Sequence, residues 1–190
     1  MEDLEIVLFA TQQDWEAWLE ENHAVSPGIR LKIAKKDTGA VSINYAEAVD
    51  AALYFGWIDS RAEKYDDAFW LQRFTPRRGR SPWSAINRGK AEELLKQGKI
   101  RPAGLLQIEK ARQDGRWDAA YQSQKSAEVP DDLRQALDEN PAAREFFETL
   151  KGANRFAILY RLQSAKKPET RQKRLAEFIK MLSEHRKIYG

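Results

Sequence analysis

The stretch from Phe69 to Asn87 gathers more reactive and charged chemistry than any other part of the chain. It reads Phe-Trp-Leu-Gln-Arg-Phe-Thr-Pro-Arg-Arg-Gly-Arg-Ser-Pro-Trp-Ser-Ala-Ile-Asn. Arg77, Arg78 and Arg80 carry permanent positive charge and can grip carboxylate or phosphate with two parallel hydrogen bonds each. Ser81-Pro82 has the form of a helix start, since serine caps free amides and proline at the first helical position loses no needed N–H. Amide donors and the positive end of a helix dipole beside arginines favour an anion. The expectation is therefore a small anionic or phosphate-bearing ligand at the arginine-rich loop and helix N-terminus. Its expected contacts are Trp57, Asp59, Thr75, Arg77, Arg78, Ser81, Trp83, Ser84 and Asn87, with a tryptophan as flat wall. The competing reading makes the tryptophans core and pairs the arginines with acids elsewhere.

Charge is unevenly spread over the 190 residues, whose formal net charge is +3. Gln72 to Lys90 holds six basic residues and no acid, and Lys151 to Arg174 holds eight basic residues against Glu169 alone. Two basic islands thus lie in an acidic body. The second supplies a further candidate patch of Lys166, Lys167, Arg171 and Arg174. The islands, with Phe69, Trp70 and Phe74 beside the first, keep open a nucleic-acid partner in which bases stack and phosphates are neutralised. A protein partner for the C-terminal basic face is a third reading.

Catalysis has little support. Neither Ser81 nor Ser84 has a base nearby in sequence, His23 and His185 are far apart, and no Ser-x-x-Lys or Gly-x-Ser-x-Gly element occurs. Asp59 would serve as a base only if buried. No catalytic residue, cofactor or metal is expected. The absence of cysteine removes disulfides and thiolate zinc sites and fits a reducing compartment. With no signal-like N-terminus and no long apolar run, the expectation is a cytoplasmic protein without membrane insertion.

These residues need elements to hold them. Glu5 to Phe9 reads as a strand, and Thr11 caps a helix with Trp15, Trp18, Leu19 and Asn22 on one side. Ile29, Leu31 and Ile33 alternate with Arg30, Lys32 and Ala34, the period of a half-buried strand. Asn44 and Glu47 form a capping box for a helix that ends at Gly56. Trp57 to Ser60 then enters a strand pairing with Phe69 to Phe74, which places Asp59 to face Arg77 or Arg78, an ordinary salt bridge or turn cap explaining it equally well. A helix from Pro82, with Trp83, Ile86, Leu94 and Leu95 on one side, stops at Gly98. Beyond it helices are expected at Ala103–Asp114, Asp131–Asn140, Pro141–Leu150, Asn154–Ser164 and Pro168 to about Tyr189, with Gln122 to Glu128 an exposed connection.

Several motifs in this order resemble those of the YdeI/OmpD-associated, or bacteriocin-protection, proteins. They are Tyr45-Ala46-Glu47-Ala48, Phe55-Gly56-Trp57-Ile58-Asp59, Phe74-Thr75-Pro76-Arg77-Arg78, and Ser81 with Trp83-Ser84 and Asn87. Downstream come Pro102-Ala103-Gly104, Asp114-Gly115-Arg116-Trp117, Pro130-Asp131-Asp132-Leu133 and Ala165-Lys166-Lys167 with Glu169-Thr170-Arg171. Tyr54 and Ser60 depart from the pattern, standing where relatives commonly have cysteine and glycine. The resemblance implies a bacterial protein linked to bacteriocin resistance or stress. It also implies an α+β fold: a small α/β N-terminal unit with a short, mostly antiparallel sheet, followed by an all-helical C-terminal region. The boundary is expected near residue 100, giving an α+β domain over 1–100 that carries the basic loop and a helical region over 101–190.

Overall fold

Hydrophobic alternation and two capping boxes set up the first half of the chain. In the computed structural model, which describes residues 4–123 and 127–190, β1 (Ile6–Val7), β2 (Ile29–Ala34), β3 (Trp57–Lys64) and β4 (Phe69–Pro76) form one sheet. Its order is β1-β2-β4-β3, with β1 parallel to β2 and the other pairs antiparallel. Helices α1 (Gln12–Asn22) and α2 (Tyr45–Tyr54) each open on a reciprocal capping box, Thr11 with Asp14 and Asn44 with Glu47. Such a cap supplies about 1 kcal/mol by satisfying two orphan amides. The expected α+β class is the observed one.

Register decides which side chains face the helices. Ile29, Leu31 and Ile33 of β2 stand opposite Phe74, Gln72 and Trp70 of β4, and this face joins Trp15, Leu19, Val49 and Trp57 in one apolar core. The alternate residues point the other way. Leu4 and Leu71, though buried, lie outside that core cluster, so the second face of the sheet is not packed by these helices. A bulge between Asp59 and Ala62 breaks the β3–β4 ladder beside Ser60, whose φ is not positive. The chain therefore needs no glycine there.

Helices α3 (Ala85–Lys96) and α4 (Pro102–Gln113) follow. Gly56 leaves α2 at φ 72°. Gly104 on α4 lies so close to α2 that a Cβ would sit 2.3 Å from the Tyr54 carbonyl oxygen. Only glycine permits this backbone-on-backbone approach. By contact, residues 1–83 and 87–120 make one compact unit, and residues 84–86 with 121–190 make the other.

The second unit is helical: α5 (Asp131–Asp138), α6 (Pro141–Thr149), α7 (Gly152–Gln163) and α8 (Pro168–Ser183). Proline opens α6 and α8 where its missing N–H costs nothing. Leu133, Leu137, Phe147, Ile158, Leu162, Phe178 and Leu182 form a separate core. Of the expected connection from Gln122 to Glu128, residues 124–126 lie outside the described residues.

Candidate functional site

The arginine loop is built differently from its sequence expectation. The Arg78 amide donates to Ser81 Oγ at 2.9 Å, and the Ser81 amide returns a bond to the Arg78 carbonyl at 2.9 Å. Ser81 thus closes a tight turn through Gly79 and Arg80, and the helix begins three residues after Pro82, at Ala85. A hydroxyl engaged with Arg78 does not cap a helix. Ile86, expected on the apolar side, is 55% exposed.

The three loop arginines part company. Arg77 is only 5% exposed. Its amide bonds the Gly56 carbonyl at 3.0 Å, its guanidinium lies 3.6 Å from the centre of the Trp83 ring, and Nη1 donates to the Pro82 carbonyl at 3.1 Å. Trp83 is itself buried and meets Trp117 edge-on at 4.8 Å. Arg77 therefore staples the loop to the core by stacking and a charge-assisted hydrogen bond. Arg78 and Arg80 turn outward, exposed and without a carboxylate partner among the described residues. The guanidinium groups of Arg77 and Arg78 do not converge before a helix N-terminus.

The other expected contacts disperse as well. Trp57 is buried and donates Nε1 to the His23 carbonyl at 3.1 Å, a core role. Asp59 accepts from the Tyr45 hydroxyl at 2.7 Å, so its partner is the first turn of α2 rather than an arginine. Thr75 is half-buried on the second face of the sheet, and Asn87 is half-buried in the first turn of α3. Ser84 pairs with Tyr121 and belongs by contact to the second unit. Arg116 clamps the loop from far along the chain: Nη1 donates to the Ser81 carbonyl at 2.9 Å while the guanidinium holds Asp114 at 2.8 Å. Nothing local in the sequence around Ser81 signals that clamp.

What the first unit does assemble is a cationic and aromatic surface on the second face of its sheet. Arg30 of β2 stands directly opposite Arg73 of β4, and Lys32 directly opposite Leu71. Lys32 Nζ lies 4.9 Å from the Tyr65 ring centre and 5.7 Å from that of Phe69. Phe69, Leu71, Arg73 and Thr75 run along one face of β4, which then leads into the turn bearing Arg78 and Arg80. Arg73 makes no ion pair among the described residues. Of the aromatic residues expected beside this island, Phe74 is fully buried and Trp70 packs on Tyr45, leaving Phe69 on the cationic face.

The second basic patch is largely structural. Arg171 grips Asp132 through Nε at 2.6 Å and Nη2 at 2.9 Å, and sends Nη1 to the Leu162 carbonyl at 2.8 Å. The hydrogen bond from Arg171 holds the Asp132 carboxyl below its usual value, against the opposing effect of burial. Arg174 donates to the Arg161 carbonyl and to Ser164 Oγ. Lys166 and Lys167 alone of the four stand exposed.

No helix among the described residues is long and apolar enough to cross a membrane. Residues 7–107 match the family model described as a domain of unknown function (DUF8412). Residues 126–185 match the model described as Bacteriocin-protection, YdeI or OmpD-Associated, which covers the Pro130–Leu133 and Ala165–Arg171 motifs of the resemblance but not those from Tyr45 to Trp117. No curated protein and no solved structure matches the chain.

Proposed function

The chain belongs to the DUF8412 family and carries a YdeI/OmpD-associated C-terminal segment, and from that premise we propose that it is a non-catalytic binding protein for an extended phosphate-bearing anion, a single-stranded nucleic acid. The strand lies along the second face of the sheet, following β4 from Phe69 to the Arg78–Arg80 turn. One observation carries the reading: Arg73 is continued by Arg78 and Arg80, none of the three having a carboxylate partner among the described residues, while Arg30, opposite Arg73 in the ladder, is held by the Leu4 carbonyl at 2.9 Å. Guanidinium groups without a carboxylate partner take phosphate oxygens through charge-assisted hydrogen bonds. The half-exposed rings of Tyr65 and Phe69 beside Lys32 add an apolar platform on which a base stacks. A sheet face of this kind suits a single strand, since bases that are not paired can lie flat on it.

A run of partly exposed residues along β4, leading to the exposed Arg78–Arg80 turn, favours an extended ligand over the pocketed small anion expected from sequence, because the residues of that expectation are dispersed. Fluorescence anisotropy with a labelled oligothymidylate and an oligouridylate tests the proposal. Wild type binds with a logarithmic salt slope of about −2, the value for roughly three phosphates on a single strand. The Arg73→Ala, Arg78→Ala, Arg80→Ala triple variant loses most of that slope with an unchanged melting temperature. Equal binding by the triple variant, or an affinity indifferent to salt, overturns the assignment.

A further inference from the structure

A different part of the first unit carries a second, independent site. Two adjoining recesses of about 410 and 320 Å³ share Gln12, Tyr54 and Lys99 in their linings. The first is completed by Gln13 and Glu16 of α1 and by Gly98 and Arg101 of the α3–α4 link. The second is completed by Asp50 of α2 and by Lys90, Glu93, Leu94 and Gln97 on or just after α3. Their size suits a small molecule, and most of the residues that line them are polar or charged, with Tyr54 and Leu94 adding apolar surface.

The pairing pattern within these recesses is selective. Asp50 is held by Lys90, Glu20 by Arg101 and Glu93 by Lys96. Glu16 and Lys99 have no ion-pair partner among the described residues, although both line the first recess. Among the described residues Glu16 receives the Gln12 amide alone, at 2.7 Å. With them lies the Tyr54 hydroxyl, on a side chain 5% exposed. It accepts a long 3.4 Å contact from Gln12 and donates to no acceptor among the described residues. A buried hydroxyl proton without an acceptor is costly, and a ligand oxygen in the recess would supply that acceptor. Burial, with Glu16 and then Asp50 nearby, pushes the Tyr54 hydroxyl above its ordinary value, so at neutral pH it keeps its proton and remains a donor.

We infer that this cleft binds a small zwitterion of the free α-amino-acid class, whose carboxylate meets Lys99 and the Tyr54 hydroxyl and whose ammonium meets Glu16. The mixed charge of the lining disfavours a phosphate-rich ligand, which separates this site from the sheet face. Isothermal titration of the full chain with the common L-amino acids, each with its N-acetyl and methyl-ester derivatives, and with inorganic phosphate, reads the inference directly. At least one free amino acid binds with sub-millimolar Kd, and blocking either of its charged ends weakens it about tenfold or more, the loss of one good ionic contact. Tyr54→Phe and Glu16→Gln each weaken it similarly. Lys99→Met, at an exposed position, does the same without risk to the fold. Absence of binding by every free amino acid, equal binding of the blocked derivatives, or unchanged affinity in all three variants overturns the inference. Oligonucleotide binding is unaffected by any of these substitutions.

Discussion

The two basic islands look alike in sequence and differ in what their cations do. In the first, Arg77 is folded inward against Trp83 while Arg73, Arg78 and Arg80 remain without carboxylate partners among the described residues. In the second, Arg171 and Arg174 tie α7 and α8 together, through Asp132 of α5, the Leu162 and Arg161 carbonyls and Ser164. A run of arginines therefore reports a local charge density, and only the acceptors supplied by the fold separate structural cations from available ones. Where the backbone offers carbonyls and an aspartate, a guanidinium is spent on architecture. On the sheet face Glu63, opposite Leu71, is taken by Arg61, and Arg73 keeps no carboxylate partner among the described residues.

The sharpest way to break this contrast is Arg77→Ala. If the buried guanidinium is structural, its loss opens a cavity over Trp83 and strands the Pro82 carbonyl, and urea unfolding records a destabilisation of about 2–4 kcal/mol. A change typical of a surface residue, under about 0.5 kcal/mol, would return Arg77 to the company of Arg78 and Arg80. The next largest effect is Asp132→Ala, which leaves the half-buried Arg171 without its carboxylate and lowers stability by about 1–2 kcal/mol in the same assay, the partial exposure of the pair limiting the loss.

The same pair predicts an acid limb. The folded Asp132 carboxyl is depressed relative to the unfolded chain, so its contribution is fully present above the ordinary carboxylate value of 3.8 and disappears as pH falls through the lower folded value. Melting temperature followed from pH 6 downward drops less steeply below about pH 4 in Asp132→Asn than in wild type; parallel curves would show that the pair does not couple to folding. The smallest effect belongs to Lys166→Ala with Lys167→Ala. Both side chains are exposed and unpaired among the described residues, so stability changes by less than about 0.5 kcal/mol and oligonucleotide affinity falls only slightly. A large loss of affinity there would move the available charge to the second island.

Much of the fold was legible because its signals are local. Thr11 and Asp14, Asn44 and Glu47, Pro141 and Pro168 mark helix starts through groups within three residues, and the alternation at Ile29, Leu31 and Ile33 names a strand and its buried side. The candidate site was less legible for the converse reason. Ser81-Pro82 has the chemistry of a helix cap, yet the same hydroxyl serves equally in a turn, and the amide of Arg78 reaches it first. The inward course of Arg77 depends on Trp83, on Gly56 before β3 and on Arg116 from beyond α4 holding the loop. That Arg73 meets Arg30 follows from the β2–β4 register, which alternation within either strand alone does not specify.

The approach of Gly104 to the end of α2 bears on how this family can vary. A helix resting on a bare peptide group cannot be re-spaced by repacking side chains, because the obstructing atoms are main-chain oxygens with nowhere to retreat. Saturation libraries should tolerate replacements at Gly79 and Gly89, where added atoms meet open space, while even alanine at position 104 is purged. Sequence drift on the rest of α4 is then free to reshape the surface around a pivot that stays still.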